Sequence, residues 1–383
     1  MPQTPAANAA VGTPNSAPPV GLVPFTRAAH EHVEPFWDNS VILSTNTLQV
    51  GPIDVPAYGF IRGIRMQVNA TGGVASVTVA AAEDAPWIAI QQIVLADVNS
   101  APIVGPFSGF DLYLVTKWGG YYNSNLGDPR TYPNFQAVVV GASASGNFAF
   151  ELFIPVEVCP RDALGALANQ NSSSTYKLTY THNNLAGIYT TAPNTTAPTL
   201  RVRFLLDAWT QPDTVDLRGN PCATTPPAHG TTSYWSKTTF NLASGQQTQR
   251  LPRVGNYIRN LIFVVRDAGN GTRLTGKTDF PDPFAIYYDT RLLKNYIQTM
   301  WQTQMARRWE FINGIGDVAG GIDNGVFVED YCHEFSGTTG YELRDLWLPT
   351  VQSTRYEVQG QFLATTKIDV LTNDVSPVGQ VFV

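Results

Sequence analysis

Charge is scarce in this sequence. Asp, Glu, Lys and Arg make up 14% of its 383 residues, against about a quarter in an ordinary soluble domain. The balance is acidic, with a formal net charge of −6 at pH 7. That counts against direct contact with nucleic acid, which relies on clustered Lys and Arg. Cysteine is equally thin. Cys159, Cys222 and Cys332 are odd in number, far apart and without C-x-x-C spacing, so isolated thiols in a reducing compartment are expected rather than a disulfide framework or a zinc site. No run of 18 apolar residues occurs, and the opening MPQTPAANAAVGTPNSAPP offers neither the basic nor the apolar stretch of a secretory signal. Synthesis and assembly in the cytosol are therefore expected. The Asn-x-Ser/Thr triplets at Asn69, Asn171, Asn194 and Asn270 then carry no meaning for glycosylation.

What is present is β-structure and its punctuation. The apolar fraction of 43% is that of a globular protein, and 27 prolines exclude an all-helical fold. Residues 1–24, built of Pro, Ala and Asn with few charges, cannot bury enough apolar area to offset their ordering entropy and are expected to form a flexible arm. Beyond them come short β-type runs such as VILSTNTLQV, FIRGIRMQVNA, WIAIQQIVLAD, FAFELFIPV, TYKLTYTH and LRVRFLLDAW, separated by Gly, Pro, Asn and Ser. The length suits two domains of about 100 to 200 residues each.

A long-period repeat organises these runs. Pro56-Ala57-Tyr58-Gly59-Phe60-Ile61-Arg62-Gly63-Ile64 is echoed by Pro252-Arg253-Val254-Gly255-Asn256-Tyr257-Ile258-Arg259-Asn260-Leu261. The order of later features is kept. Thr47-Leu48 pairs with Asn241-Leu242, a strand ending Trp87-Ile88-Ala89-Ile90 with Phe284-Ala285-Ile286-Tyr287, and Phe148-Ala149-Phe150-Glu151 with Val326-Phe327-Val328-Glu329. Arg161-Asp162 then pairs with Arg344-Asp345, Ser174-Thr175-Tyr176 with Ser353-Thr354-Arg355-Tyr356, and a final strand at Val202–Leu206 with Ile368–Leu371. Each half also carries one helix, predicted at Phe107–Trp118 and at Arg291–Phe311, the second from the spacing of Leu293, Ile297, Met300, Trp301 and Met305. The extra loop AGIYTTAPNTTAPT accounts for the greater length of the first half. The expected fold is thus all-β: two tandem eight-stranded jelly-roll sandwiches over 25–210 and 235–383, each with a helix after its fifth strand, joined by a Pro/Thr/Gly-rich linker at 211–234.

Two such rolls behind a loose arm resemble the double jelly-roll major capsid proteins of tectivirus-like viruses. The resemblance spans the chain from about residue 25 and implies a structural coat protein with no catalytic, metal or cofactor site. It implies a homotrimer with a pseudo-hexagonal outline, tiling an icosahedral shell with neighbouring capsomers and with vertex and minor capsid proteins. It further implies an internal membrane between coat and double-stranded DNA, which would account for the acidic coat, and an inner face near that membrane to which Arg27, His30 and His32 belong. Synthesis would be in the host cytoplasm and the destination the virion. Exposed aromatics such as Trp118, Tyr121, Tyr122 and Tyr132 would serve either contacts between subunits or core packing. Two other classes stay open: a carbohydrate-binding or glycan-cleaving protein of two sandwiches, and a phage receptor-binding or tail component.

The motifs that point to chemistry fail on context. Gly271–Thr278 matches the phosphate-binding G-x-x-x-x-G-K-T loop. That loop needs a helix starting at Lys277, and Pro281 and Pro283 follow at once, so no nucleotide is expected there. His30-Glu31-His32 offers two imidazoles without a third ligand, and Cys332-His333-Glu334 places neighbours on opposite sides of a strand. Asp317–Asp323 lies in a Gly-rich stretch that misses most positions of a calcium loop, which leaves a bound ion there undecided. Gly141–Gly146 misses the G-x-S-x-G elbow by one residue, and nothing brings Asp279, Asp282, Glu83 or Asp84 together as a glycosidase pair.

Overall fold

Alternating burial along the β-type runs is realised as two sandwiches of eight long strands each. The structure is a computed structural model describing residues 21–121, 128–141, 144–227, 231–269, 271–273, 281–309, 325–331, 347–351, 353–362 and 365–376. The first sandwich contains β1 (Glu31–Ile42), β2 (Leu48–Asp54), β3 (Phe60–Thr71), β4 (Ile90–Ala96), β5 (Pro102–Phe107), β6 (Phe148–Pro155), β7 (Lys177–His182) and β8 (Thr199–Trp209). The second contains β9 (Ser233–Leu242), β10 (Gly245–Arg250), β11 (Tyr257–Asp267), β12 (Phe284–Tyr288), β13 (Arg291–Tyr296), β14 (Val326–Asp330), β15 (Tyr356–Phe362) and β16 (Thr366–Val375).

The first roll's sheets run β1-β8-β3-β6 and β2-β7-β4-β5, and the second's run β9-β16-β11-β14 and β10-β15-β12-β13. Both follow one winding: strands one, eight, three and six form one sheet, and two, seven, four and five the other. That is the jelly roll, made twice. Helix α1 (Gly109–Trp118) follows the fifth strand of the first roll and α2 (Gln298–Trp309) the fifth of the second.

Local chemistry sets most boundaries. Ser108 and Asp111 form a reciprocal capping box that starts α1 two residues later than the predicted Phe107. The predicted start of the second helix at Arg291 is corrected by more. Asp289, at φ 51°, turns β12 back into a hairpin, so Arg291–Tyr296 pairs with β12 as a strand and the helix begins only at Gln298. The apolar stripe splits accordingly: Trp301 and Met305 are buried, while Leu293, Ile297 and Met300 are exposed. Two repeat pairings also shift. Trp87–Ala89 is a single 3-10 turn leading into β4, the true counterpart of β12, and Thr47-Leu48 opens a second strand whereas Asn241-Leu242 closes a first one.

The rolls are continuous through their sheets. β9 pairs in parallel with β5 at Trp235 and Val104, which merges the second sheet of the first roll and the first sheet of the second into one nine-stranded sheet that includes Leu348–Pro349. Parallel pairing gives both rolls the same direction. Phe25–Ala28, the stretch 210–232 and the turns 55–59 and 97–101 therefore gather at one end. Loops 72–89 and 183–198 lie at the other, tied by pairing of Ala80–Ala81 with Tyr189–Thr191.

Candidate functional site

The chemically richest region is the seam where α1 meets the first sheet of the second roll. Its origin is a face mismatch visible in the strands. β3 alternates buried Met66 and Val68 with half-exposed or exposed Arg65 and Gln67, whereas β11 is buried without a break from Ile258 to Val265. A strand covered on both faces needs apolar residues on both. One face of β11 supplies the second roll's own core, where Phe263 lies 5.4 Å from Phe284 and 5.9 Å from Trp301 between ring centroids. The other lies against α1, all ten residues of which are buried.

Polar groups cross this seam along its length, although Asp111 Oδ1 and Asn260 Oδ1 have no hydrogen-bond partner among the described residues. The Asn260 side-chain amide donates to the Trp118 carbonyl at 2.8 Å, and the Arg259 guanidinium donates to that of Gly119 at 3.1 Å. These are carbonyls at the C-terminal end of α1, where a cation is favoured by the helix dipole. Trp235 Nε1 donates to the Tyr121 hydroxyl at 2.8 Å. Trp118 and Tyr121 therefore serve contacts inside the chain, Tyr132 is half-buried, and Tyr122 lies outside the described residues.

At the middle and far end of the seam runs a charged chain. Lys237 Nζ sits 2.8 Å from Asp111 and 3.3 Å from Asp369, and Arg266 reaches Asp369 at 3.3 Å and Asp84 at 2.8 Å. Arg273 closes it on Asp84 at 2.8 Å and Glu83 at 3.4 Å, with its guanidinium 4.9 Å from the centre of the Phe110 ring. Burial disfavours ionisation of Asp369, but the Lys237 charge and a hydrogen bond from Thr239 outweigh it and hold the carboxyl below its ordinary range. Burial likewise opposes the Lys237 charge, and Asp111 and Asp369 reverse that and raise its pKa. The network fixes the two rolls in one register; each of its three cations is paired with carboxylates, and no nucleophile with an adjacent base emerges from it.

The residues singled out from sequence are only partly brought together. Arg27 and His30 line one cavity of about 370 Å³ at the arm end, with Asp213, Asp216, Arg218 and Cys222. His32 is elsewhere: its ring stacks on Tyr58 at 4.0 Å and its Nε2 lies 3.2 Å from Glu34. Among the described residues no three His, Cys, Asp or Glu side chains cluster as metal ligands. Cys159 and Cys222 are buried and in no disulfide among the described residues. Of Gly271–Thr278, the first three residues are described and form a turn back onto β11, bridging Arg273 to Arg266. Lys277 lies outside the described residues, as do Asp317–Asp323, Cys332 and Arg344-Asp345.

No family model matches the sequence, and no curated protein matches it either. Solved structures do match. The major capsid protein of STIV (Sulfolobus turreted icosahedral virus) superposes with a TM-score of 0.61 at 13% identity, over 91% of this chain and 98% of that one. The chain has the double jelly-roll fold. The PBCV-1 virus capsid shares this double jelly roll at a TM-score of 0.54 and 9% identity, over 91% of this chain and 94% of that one. The major capsid protein of faustovirus shares it at 0.51 and 9%, over 96% and 92%. Identities this low carry the architecture without the side chains, so the seam residues of this double jelly roll stand on their own geometry.

Proposed function

We propose that this double jelly-roll chain is the major coat protein of an icosahedral virion, acting as a structural protein and not as an enzyme. The observation that carries the proposal is the seam itself. Parallel pairing of β5 with β9 and the buried chain from Trp235 to Arg273 stand two like rolls side by side with one polarity. Three such chains around an axis place six similar rolls in a ring with a pseudo-hexagonal outline, and closed cyclic symmetry is the usual form of a homo-oligomer. The solved structures of like fold are capsid proteins, which supports the same reading.

In this assembly the end bearing Phe25–Ala28, Arg27, His30 and His32 faces inward, toward an internal membrane, and loops 72–89 and 183–198 face outward. The net charge of −6 suits a coat that lies against lipid rather than against DNA. Neighbouring capsomers and vertex and minor capsid proteins are its partners, it binds no nucleotide at Gly271–Thr278, and it is made in the host cytoplasm before joining the virion. Native mass spectrometry and negative-stain microscopy of the purified chain test this. A stable trimer with a six-lobed outline is expected, and a monodisperse monomer at high concentration overturns the proposal.

A further inference from the structure

The two helices occupy equivalent places, each after the fifth strand of its roll and packed on the sixth strand, yet their surroundings differ. Every residue of α1 is buried, because the second roll lies over it. Of α2, Gln298, Trp301 and Met305 are buried, while Thr299, Met300, Thr303, Gln304 and Arg307 are exposed. Strand β13, the counterpart of the β5 edge that pairs with β9, adds to this surface. Leu292, Leu293, Ile297 and Met300, within nine residues, are between 37% and 59% exposed. Residues 295–306 contain no charged side chain at all. An exposed strand edge and helix of this composition mark an interaction surface.

The first roll carries the converse gap. In the second roll the outward face of the first sheet bears Ile262, Val264 and Leu371, buried beneath α1. The same face of the first roll, on β1-β8-β3-β6, has no counterpart of α1 over it among the described residues; only the segment after the 3-10 turn Pro129–Thr131 reaches across, where the Asn134 amide donates to Glu151 at 3.0 Å. The face holds a cavity of about 530 Å³ lined by Pro35, Arg65, Gln67, Glu151, Arg203 and Leu205. Side-chain contacts tie the face together: Arg65 pairs with Asp207 at 2.9 Å, Gln67 donates to Glu151 at 3.0 Å, and Arg203 donates to Gln67, while Arg203 Nε has no hydrogen-bond partner among the described residues. In the second roll the equivalent face is covered by α1, whose counterpart is α2. Beside the first roll's face, edge strand β1, the counterpart of β9, exposes Val33.

We infer that the apolar strip Leu292, Leu293, Ile297 and Met300 on β13 and α2 of one copy docks on the outward face of β1-β8-β3-β6 in a second copy, with Met300 directed at the cavity beside Arg65 and Leu205. The contact repeats between chains the seam that α1 and β5 make with β9 and β11 within the chain. It joins unlike surfaces, so it is heterologous and closes only as a ring. It rests on the trimeric reading above and assigns that reading its surfaces.

Two kinds of variant test it. Leu292→Glu with Met300→Glu puts two charges into the contact and touches no buried residue of the monomer. The double variant should associate about 100-fold or more weaker than wild type in native mass spectrometry, with an unchanged circular dichroism spectrum. Separately, Gln67→Cys with Met300→Cys should yield a species of three cross-linked chains on mild oxidation, absent from either single-cysteine protein. A well-folded, fully trimeric double-Glu variant overturns the docking, as does a trimeric Cys pair that never cross-links. A monomeric wild type would instead reject the trimer itself, which keeps the two failures apart.

Discussion

His182 makes a direct demand on the pH dependence of folding. It ends β7 at 2% exposure, its ring meets Tyr180 edge-on at 5.0 Å, and neither ring nitrogen has a hydrogen-bond partner among the described residues. Burial without compensation pushes its pKa from 6.5 down to about 4. The native state therefore refuses a proton that the unfolded chain accepts. Stability is complete above about pH 6.5, declines as pH falls, and loses nothing further from this group below about pH 4. At about 1.4 kcal/mol per pKa unit, the loss across that window comes to about 3 kcal/mol. His182→Phe keeps a planar ring in the same space and removes the titration. Urea unfolding followed by tryptophan fluorescence, at one protein concentration because association also stabilises, should show wild type losing about 3 kcal/mol more than the variant between pH 7 and pH 4. Parallel stability curves for the two proteins would refute the assignment.

The seam and its helix give further expectations. Lys237→Met strands Asp111 and Asp369 in a buried site and should cost about 3 to 5 kcal/mol in chemical denaturation, with much of it recovered when Asp111→Asn and Asp369→Asn are added; a silent Lys237→Met would contradict the network. The Asp369 contribution, present above the unfolded pKa of 3.8, should fade as pH drops through its lower native value. The Lys237 contribution, full below the ordinary value of 10.5, should fade only as pH climbs through its raised one. Gly109→Ala would place a Cβ 2.0 Å from the Trp87 carbonyl oxygen, forcing α1 outward at about 1 to 3 kcal/mol. Gly21→Ala meets nothing within 4 Å and should change the melting temperature little.

Much of the architecture was legible because jelly-roll strands repeat their chemistry where they repeat their place. Ile61-Arg62 and Ile258-Arg259 open the third strand of each roll, and Phe148–Glu151 and Val326–Glu329 lie in the sixth. The helix after the fifth strand could be placed from its order in each half, but its start could not. Leu293, Ile297 and Met300 mimic a buried helical stripe when they are in fact a strand and a helix sharing one exposed side. The seam was illegible for another reason. Lys237 and Asp111 are 126 residues apart, and neither stands in a motif. The one available signal was the unbroken NLIFVVRD of β11 beside the alternating FIRGIRMQVNA of β3, which says that the second roll is covered on a face the first leaves open. Arg27, His30 and His32 share one stretch of chain; the fold brings the first two to one cavity, and the His32 ring stacks on Tyr58.

That two-sided burial of β11 also orders events during synthesis. The first roll emerges from the ribosome complete, with strands one to eight all encoded before residue 210, and can close its own core while α1 waits uncovered. The second roll has no such independence, since Ile262, Val264 and Leu371 find cover only on a helix already made. The first roll is thus expected to serve as the template on which the second condenses. A gene fragment encoding the second roll alone should yield aggregated protein, whereas the first, translated alone, should stay soluble long enough to be captured by a second roll supplied afterwards.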